Sequence, residues 1–198
     1  NEKGEPLGEE YTIVLAADGY LEETNQIENF VLNLSSSLAL DKLAESKGSS
    51  VVRSAVGEIN VVNKMNEVSS NLGGEGNGGV ILRECHLGRD SLVGVTMVLN
   101  RMSQSNESLS AIHQSLPQFV IVKDKVNVKG IDAEDIIKKV ANLFKNAEKN
   151  TLDGIKFIWK DKWVHLRKSN TEPIIRIYAE ASDKNRALGL INKIKSLI

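Results

Sequence analysis

Two short stretches hold side chains whose types and spacing could do recognition chemistry. The first is "GGEGNGG", residues 73–79, in which Glu75 and Asn77 stand two apart among glycines. A carboxylate accepts hydrogen bonds and a carboxamide both donates and accepts, so the pair can grip adjacent hydroxyls, as on a sugar or polyol. The second is "LRKSNTEP", residues 166–173, where Arg167, Lys168, Ser169, Asn170 and Thr171 run consecutively into the rigid Pro173. A guanidinium fork with hydroxyls and loop amides suits an oxyanion, phosphate above all. A polar hairpin tip has the same composition. Together the loops, about 90 residues apart, point to a sugar phosphate, with hydroxyls read at 75–77 and phosphate at 167–171.

The glycine stretch also contains Gly74-x-Gly76-x-x-Gly79, the fingerprint of dinucleotide-binding loops. That chemistry needs a strand before the loop, a helix after it and an acid about 20 residues further on. Here "NEVSSNL" before the loop reads as a helix end and coil, "VILRE" after it reads as a strand, and Leu99 and Asn100 stand where the acid belongs. Glu75 would oppose a pyrophosphate, and no Gly-Lys-Ser/Thr closes a P-loop. A plain turn needs glycine only where φ is positive.

The elements that must position these loops alternate in period. Helical spacing marks Glu9–Leu21, Leu38–Lys47, Ile59–Val68, a long apolar helix capped by Asp90 and running through Met102, and Glu107–Ser115. Strand-like runs fall at 29–35, 50–54 and Val80–Arg83. After Pro117 come a long strand at 118–128, an amphipathic helix Asp132–Ala147 with Ile136, Ile137, Val140, Leu143, Phe144 and Ala147 on one stripe, three strands (Gly154–Trp159, Lys162–Arg167, Pro173–Ala181) and a helix Asp183–Ile198 burying Ala187, Leu190, Ile191, Ile194 and Leu197. The expected fold class is an α/β mixed-sheet domain at 1–116 followed by an α+β domain at 118–198, ordered β-α-β-β-β-α with an antiparallel sheet and helices on one face.

The 198 residues carry 25 basic and 26 acidic side chains, for a net charge of −1. No global field favours nucleic acid or an anionic membrane. Apolar runs such as "FVIV" fall far short of a membrane helix. The single cysteine, Cys85, forms no internal disulfide and suits a reducing, cytoplasmic setting. The chain opens inside a turn, Asn1–Pro6, without an initiator Met, as expected of a fragment of something longer or of a chain from which a tag or leader was removed.

The motif pair "GGEGNGG" and "RKSNTEP" resembles the α-D-phosphohexomutases, the family of phosphoglucomutase, phosphomannomutase and phosphoglucosamine mutase. Members have four domains; a Gly-Glu loop of the third reads the sugar hydroxyls, and an Arg-x-Ser-Asn/Gly-Thr-Glu-Pro loop of the fourth binds the substrate phosphate. "RSAVGEINVVNKM" (53–65) is similar to a third-domain segment whose loop faces the cleft, which implies a place near the ligand for Gly57 and Glu58. Glu58 also fits as an acid favoured at a helix N-terminus. "GRDSL" (88–92) resembles the family's Arg-Asp-Gly before a helix.

The resemblance implies a substrate-binding C-terminal part of an enzyme interconverting hexose (or hexosamine) 1-phosphate and 6-phosphate. Its substrate-binding residues are Glu75, Asn77, Gly57, Glu58, Arg167, Ser169, Asn170 and Thr171. The family's phosphoserine loop and its Asp-x-Asp-x-Asp-Arg loop for Mg²⁺ do not occur in these residues. Catalytic and metal groups are therefore expected in N-terminal domains of the same chain, and this part alone is expected to be inactive. A stand-alone, non-catalytic sugar-phosphate-binding module is the alternative. Where some members have a His after the sugar loop this chain has Gly79, and where some use a cleft Lys it has Ser35.

Other candidates carry less. His86, His113 and His165 show no metal spacing. His165 alternates with Leu166 and so faces away from the sheet's core. Arg176 fits either as phosphate support or on a solvent face. Trp159 and Trp163 flank a turn as packing groups, and Cys85 has no adjacent base.

Overall fold

Phe30-Val31-Leu32 has no polar alternation, as a strand covered on both faces should. In the computed structural model, which describes residues 1–128, 133–169 and 172–197, this run is wholly buried in β1 (Asn29–Asn33). The chain divides into two units, Asn1–Gln118 and Phe119–Ile198.

The first unit runs α1 (Tyr11–Thr24), β1, α2 (Ala39–Ser46), β2 (Ser50–Ser54), α3 (Glu58–Glu67), β3 (Leu72–Gly74), β4 (Val80–Leu82), α4 (Ser91–Ser105) and α5 (Leu109–Ser115). Its sheet has the order β2-β1-β3-β4, with β1 parallel to β2 and β3, and β4 antiparallel to β3. Val31 and Ile81 pack with Val61 and Met65 of α3 in one core cluster. The mixed sheet expected for this region is present. One strand differs from the expected pattern: "NEVSSNL" ends in β3, because Leu72, Gly73 and Gly74 pair between β1 and β4. A strand therefore does precede the glycine loop. The element after the loop is β4, so the loop turns a hairpin and opens no helix.

Asp90 caps α4 as expected, its Oδ1 accepting from the Leu92 and Val93 amides at 2.7 and 3.2 Å. Replacing Asp90 with Ala should destabilise this unit by about 1 kcal/mol. Faster hydrogen exchange at the Leu92 and Val93 amides would register it; unchanged protection would show the cap to be dispensable.

The second unit runs β5 (Val120–Asn127), α6 (Ala133–Val140), β6 (Glu148–Asn150), β7 (Ile155–Trp159), β8 (Lys162–Lys168), β9 (Ile174–Ala181) and α7 (Lys184–Lys195). The sheet order is β5-β9-β8-β7-β6, antiparallel throughout. Alternate residues Ile155, Phe157, Val164, Leu166, Ile175, Ile177 and Ala179 form a core with Ile136 and Val140 of α6 and Ala187, Leu190, Ile191 and Ile194 of α7. The α+β class stands, with three changes of detail. The helix expected over Asp132–Ala147 stops at Val140. Phe144 then turns inward to meet the edges of Phe157 and Trp159 at 5.1 and 5.2 Å, a ring cluster that a continuing helix would not make. The chain next forms β6 against β7, a strand hidden by its polar sequence "EKN". Leu197 lies beyond the end of α7 and is 44% exposed, not buried.

Candidate functional site

In the first unit the expected sugar-reading residues gather at the C-terminal ends of the parallel strands, where open α/β sheets present their loops. Glu75, one residue past β3, is only 3% exposed. Its Oε1 accepts from Asn33 Nδ2 at 2.8 Å and from the Gly57 amide at 3.1 Å. Its Oε2 meets Arg89 at 3.0 Å. Asn33 is fixed in turn, its Oδ1 accepting from the Ser35 amide and the Ser36 hydroxyl at 2.9 and 3.0 Å. Arg53 clasps the same loop through the carbonyls of Asn33, Ser36 and Ser37 and pairs with Asp41.

Arg89 links the two acids. Its Nε and backbone amide donate to Glu58 at 2.8 and 3.1 Å, while its other arm holds Glu75. The hydrogen bond from Arg89 holds the Glu58 carboxyl below its ordinary value, and the same bond raises the Arg89 guanidinium. A Cβ on Gly79 would lie 2.5 Å from Arg89 Cδ, so any larger residue there would push the Arg89 side chain aside. The close approach that this glycine permits is thus to a protein side chain. Asn77 is exposed, with its Oδ1 accepting from the Gly79 amide at 3.3 Å. Glu58, Asn77, Gly78, Gly79, Arg89, Asp90 and Ser91 line an open pocket of 380 Å³. Glu75 sits behind Arg89, with one lone pair of Oε2 uncommitted by these contacts.

The structure therefore brings Gly57, Glu58, Glu75 and Asn77 together. Sequence reasoning missed Asn33, Arg53 and Arg89. The "GRDSL" segment signalled Asp90 as a cap, and Arg89 beside it was available as a partner for two nearby acids.

In the second unit, Arg167 near the end of β8 stands directly opposite Arg176 of β9 in the strand register. Opposed residues share a sheet face, and like charges so placed repel. Both Nε atoms are buried with no hydrogen-bond partner. The Arg167 fork reaches Asp153 at 3.4 Å, and Arg176 reaches Glu172 at 3.3 Å and Tyr178 Oη at 3.5 Å. The contact with Tyr178 raises the Arg176 guanidinium. Ser169 is buried, and its amide donates to the Ile174 carbonyl at 3.0 Å, closing the loop. Asn170 and Thr171 lie outside the described residues.

His165 does face away from Leu166, but that side of the sheet is buried too, leaving His165 1% exposed. Its Nε2 donates to the Asp153 carbonyl at 2.6 Å. Burial lowers its pKa to about 4, with the Lys156 and Arg167 charges adding to the effect. Trp163 is wholly buried, donating to Glu180 at 2.6 Å with Lys156 over its ring at 4.3 Å, so it is a packing group. Cys85 is exposed. Among the described residues no group of three or more His, Cys, Asp or Glu side chains is placed to hold a metal ion. Among those residues no helix is long and apolar enough to cross a membrane.

Comparison with known proteins agrees over residues 8–196. Residues 8–119 match the family model for phosphoglucomutase/phosphomannomutase, alpha/beta/alpha domain III, and residues 120–196 match that for the C-terminal domain. A phosphoglucomutase/phosphomannomutase of Thermococcus kodakarensis is 36% identical over 189 residues, covering 94% of this chain and 41% of that protein. A phosphoglucosamine/phosphogalactosamine mutase of Sulfurisphaera tokodaii is 33% identical over 175 residues, covering 87% and 38%. Among solved structures, a phosphoglucomutase/phosphomannomutase family protein from Burkholderia thailandensis superposes with a TM-score of 0.79 at 22% identity, over 98% of this chain and 42% of that one. An Aspergillus fumigatus N-acetylphosphoglucosamine mutase, solved with GlcNAc-6P and magnesium, superposes with a TM-score of 0.63 at 13% identity, over 96% and 46%. The chain thus spans about two fifths of the length of the relatives it matches. With both of its units matched in order, the chain belongs to the phosphoglucomutase/phosphomannomutase family, of which it carries domain III and the C-terminal domain.

Proposed function

We propose that this chain is the substrate-recognition part of a phosphohexomutase that interconverts hexose or hexosamine 1-phosphate and 6-phosphate. The observation that carries the reading is the pair of opposed arginines, Arg167 and Arg176, each with a buried Nε that has no partner. Buried donors of this kind call for an acceptor, and a phosphate monoester supplies up to three oxygens with about two negative charges. Ser169, Asn170 and Thr171 would complete the cradle. In the other unit, Asn77 and the remaining lone pair of Glu75 would take sugar hydroxyls, with Arg89 and Glu58 fixing the carboxylate and Gly57 donating to it. Such residues act by positioning and by charge stabilisation.

The phosphoryl donor and Mg²⁺ would come from N-terminal domains of the parent enzyme, and the chain alone is expected to show no mutase turnover. Exposed Leu92, Val95 and Leu99 on α4, with a 460 Å³ apolar groove beside them, support such a covering partner. Sugar-phosphate metabolism and the free Cys85 favour the cytoplasm.

Calorimetric titration of the chain with glucose 1-phosphate, glucosamine 1-phosphate and mannose 1-phosphate tests the reading. Arg167→Ala should weaken any of these by about tenfold, as loss of a hydrogen-bonded charge does. Binding unaffected by both Arg167→Ala and Arg176→Ala would overturn the phosphate assignment.

A further inference from the structure

We propose that Asp153 sets the anion affinity of the arginine pair, acting as an internal carboxylate that an incoming phosphate must displace. The inference rests on the reading that Arg167 and Arg176 take a phosphate. Asp153 lies in the turn before β7, and its Oδ2 approaches Arg167 at 3.4 Å. That is long for a charge-assisted bond, which ordinarily spans about 2.7–2.9 Å. The guanidinium is held loosely, and its Nε is left buried without a partner. A better-placed acceptor would gain what this contact does not supply.

The carboxylate does not arrive on a pliable loop. The Asp153 carbonyl takes the 2.6 Å hydrogen bond from His165, the neighbour of Arg167 but one along β8. Gly154 comes next with φ +72°, and a Cβ there would lie 2.1 Å from the Leu166 carbonyl oxygen. The turn is thus pinned to β8 at two points beside Arg167. Its carboxylate stays within reach of the guanidinium whether or not a ligand is present.

A fixed carboxylate beside an anion site does two things. It lowers affinity for every anion, and it lowers it most for those with too little charge to compete. A phosphate monoester, which carries about two charges, displaces it more readily than a monoanion. For an enzyme that must release a phosphorylated product, weaker holding speeds exchange.

The test is calorimetric titration of the 198-residue chain with glucose 1-phosphate and with inorganic phosphate, comparing wild type with Asp153→Asn. Asn keeps the size of the side chain and the backbone bond to His165. Asp153→Ser provides a second variant, and tryptophan fluorescence checks that each is folded. Asp161→Asn, at the far end of β8, controls for the change in net charge. Removing the competitor should tighten binding about fivefold, with Asp161→Asn near wild type. Unchanged or weaker binding by both Asp153 variants, or an equal gain in Asp161→Asn, overturns the inference while leaving the phosphate reading intact if Arg167→Ala still weakens binding. Absence of binding in every variant overturns both.

Discussion

Gly154→Ala should destabilise the C-terminal unit by about 3 kcal/mol or more. Two effects add. The backbone at Gly154 has φ +72°, where an L side chain is strained by about 1–2 kcal/mol. The new Cβ would also sit 2.1 Å from the Leu166 carbonyl oxygen and 2.9 Å from Arg167 Cα. Both are backbone atoms of β8, a central strand paired on both edges, and cannot swing aside. The turn must lift, loosening the His165–Asp153 bond and moving Asp153 away from Arg167. Trp159 and Trp163 are the chain's two tryptophans and both lie in this unit, so their fluorescence during denaturant unfolding reports on it alone. A midpoint near that of wild type would mean that the close approach is not made.

This position also shows which parts of the site were legible in the sequence. Residue types carried the expectation of the chemistry proposed above: Glu75 with Asn77 as acceptors and donors, Arg167 through Thr171 as an oxyanion cradle, with Asn170 and Thr171 outside the described residues. These are short-range features, readable because the residues are consecutive. The groups that hold them are long-range. Glu75 takes its donors from Asn33, Gly57 and Arg89, which are neighbours only after β1 and β3 have paired. Arg176 was ambiguous for the same reason, since its standing opposite Arg167 depends on the register of β8 against β9.

The fold divides along similar lines. Apolar periodicity located α1 through α5 and the strands β7, β8 and β9 to within a few residues. β3 escaped because two of its three residues are glycines, and β6 because it is polar; neither shows a period. The overlong reading of α6 failed at Phe144, whose apolar character serves a ring cluster and not a helical stripe.

His165 makes the second large effect one of pH. A histidine in an unfolded chain titrates near 6.5, whereas burial in the folded unit lowers His165 to about 4. The unfolded state therefore binds the proton more tightly. Stability is fully present above about pH 6.5, falls as pH drops toward 4, and levels off below that. Going from about pH 7.5 to about pH 4.5, the C-terminal unit should lose about 2.5 kcal/mol. Lys156, opposite His165 on β7, and Arg167 both oppose its protonation, while the Asp153 side favours it too weakly to compensate. Asp124 and Asp183 of the same unit have carboxyls held below their ordinary value, so they act beneath this window. His165→Gln keeps an N–H donor for the Asp153 carbonyl and cannot titrate. Followed by tryptophan fluorescence, its stability should stay nearly level across the window in which wild type declines. Parallel declines in the two proteins would place the acid sensitivity elsewhere. A level wild-type profile would mean that His165 is not held neutral by burial. Because that imidazole bonds the turn that carries Asp153, the same protonation should loosen Arg167 from its carboxylate, linking the acid limit of the fold to the geometry of the proposed phosphate site.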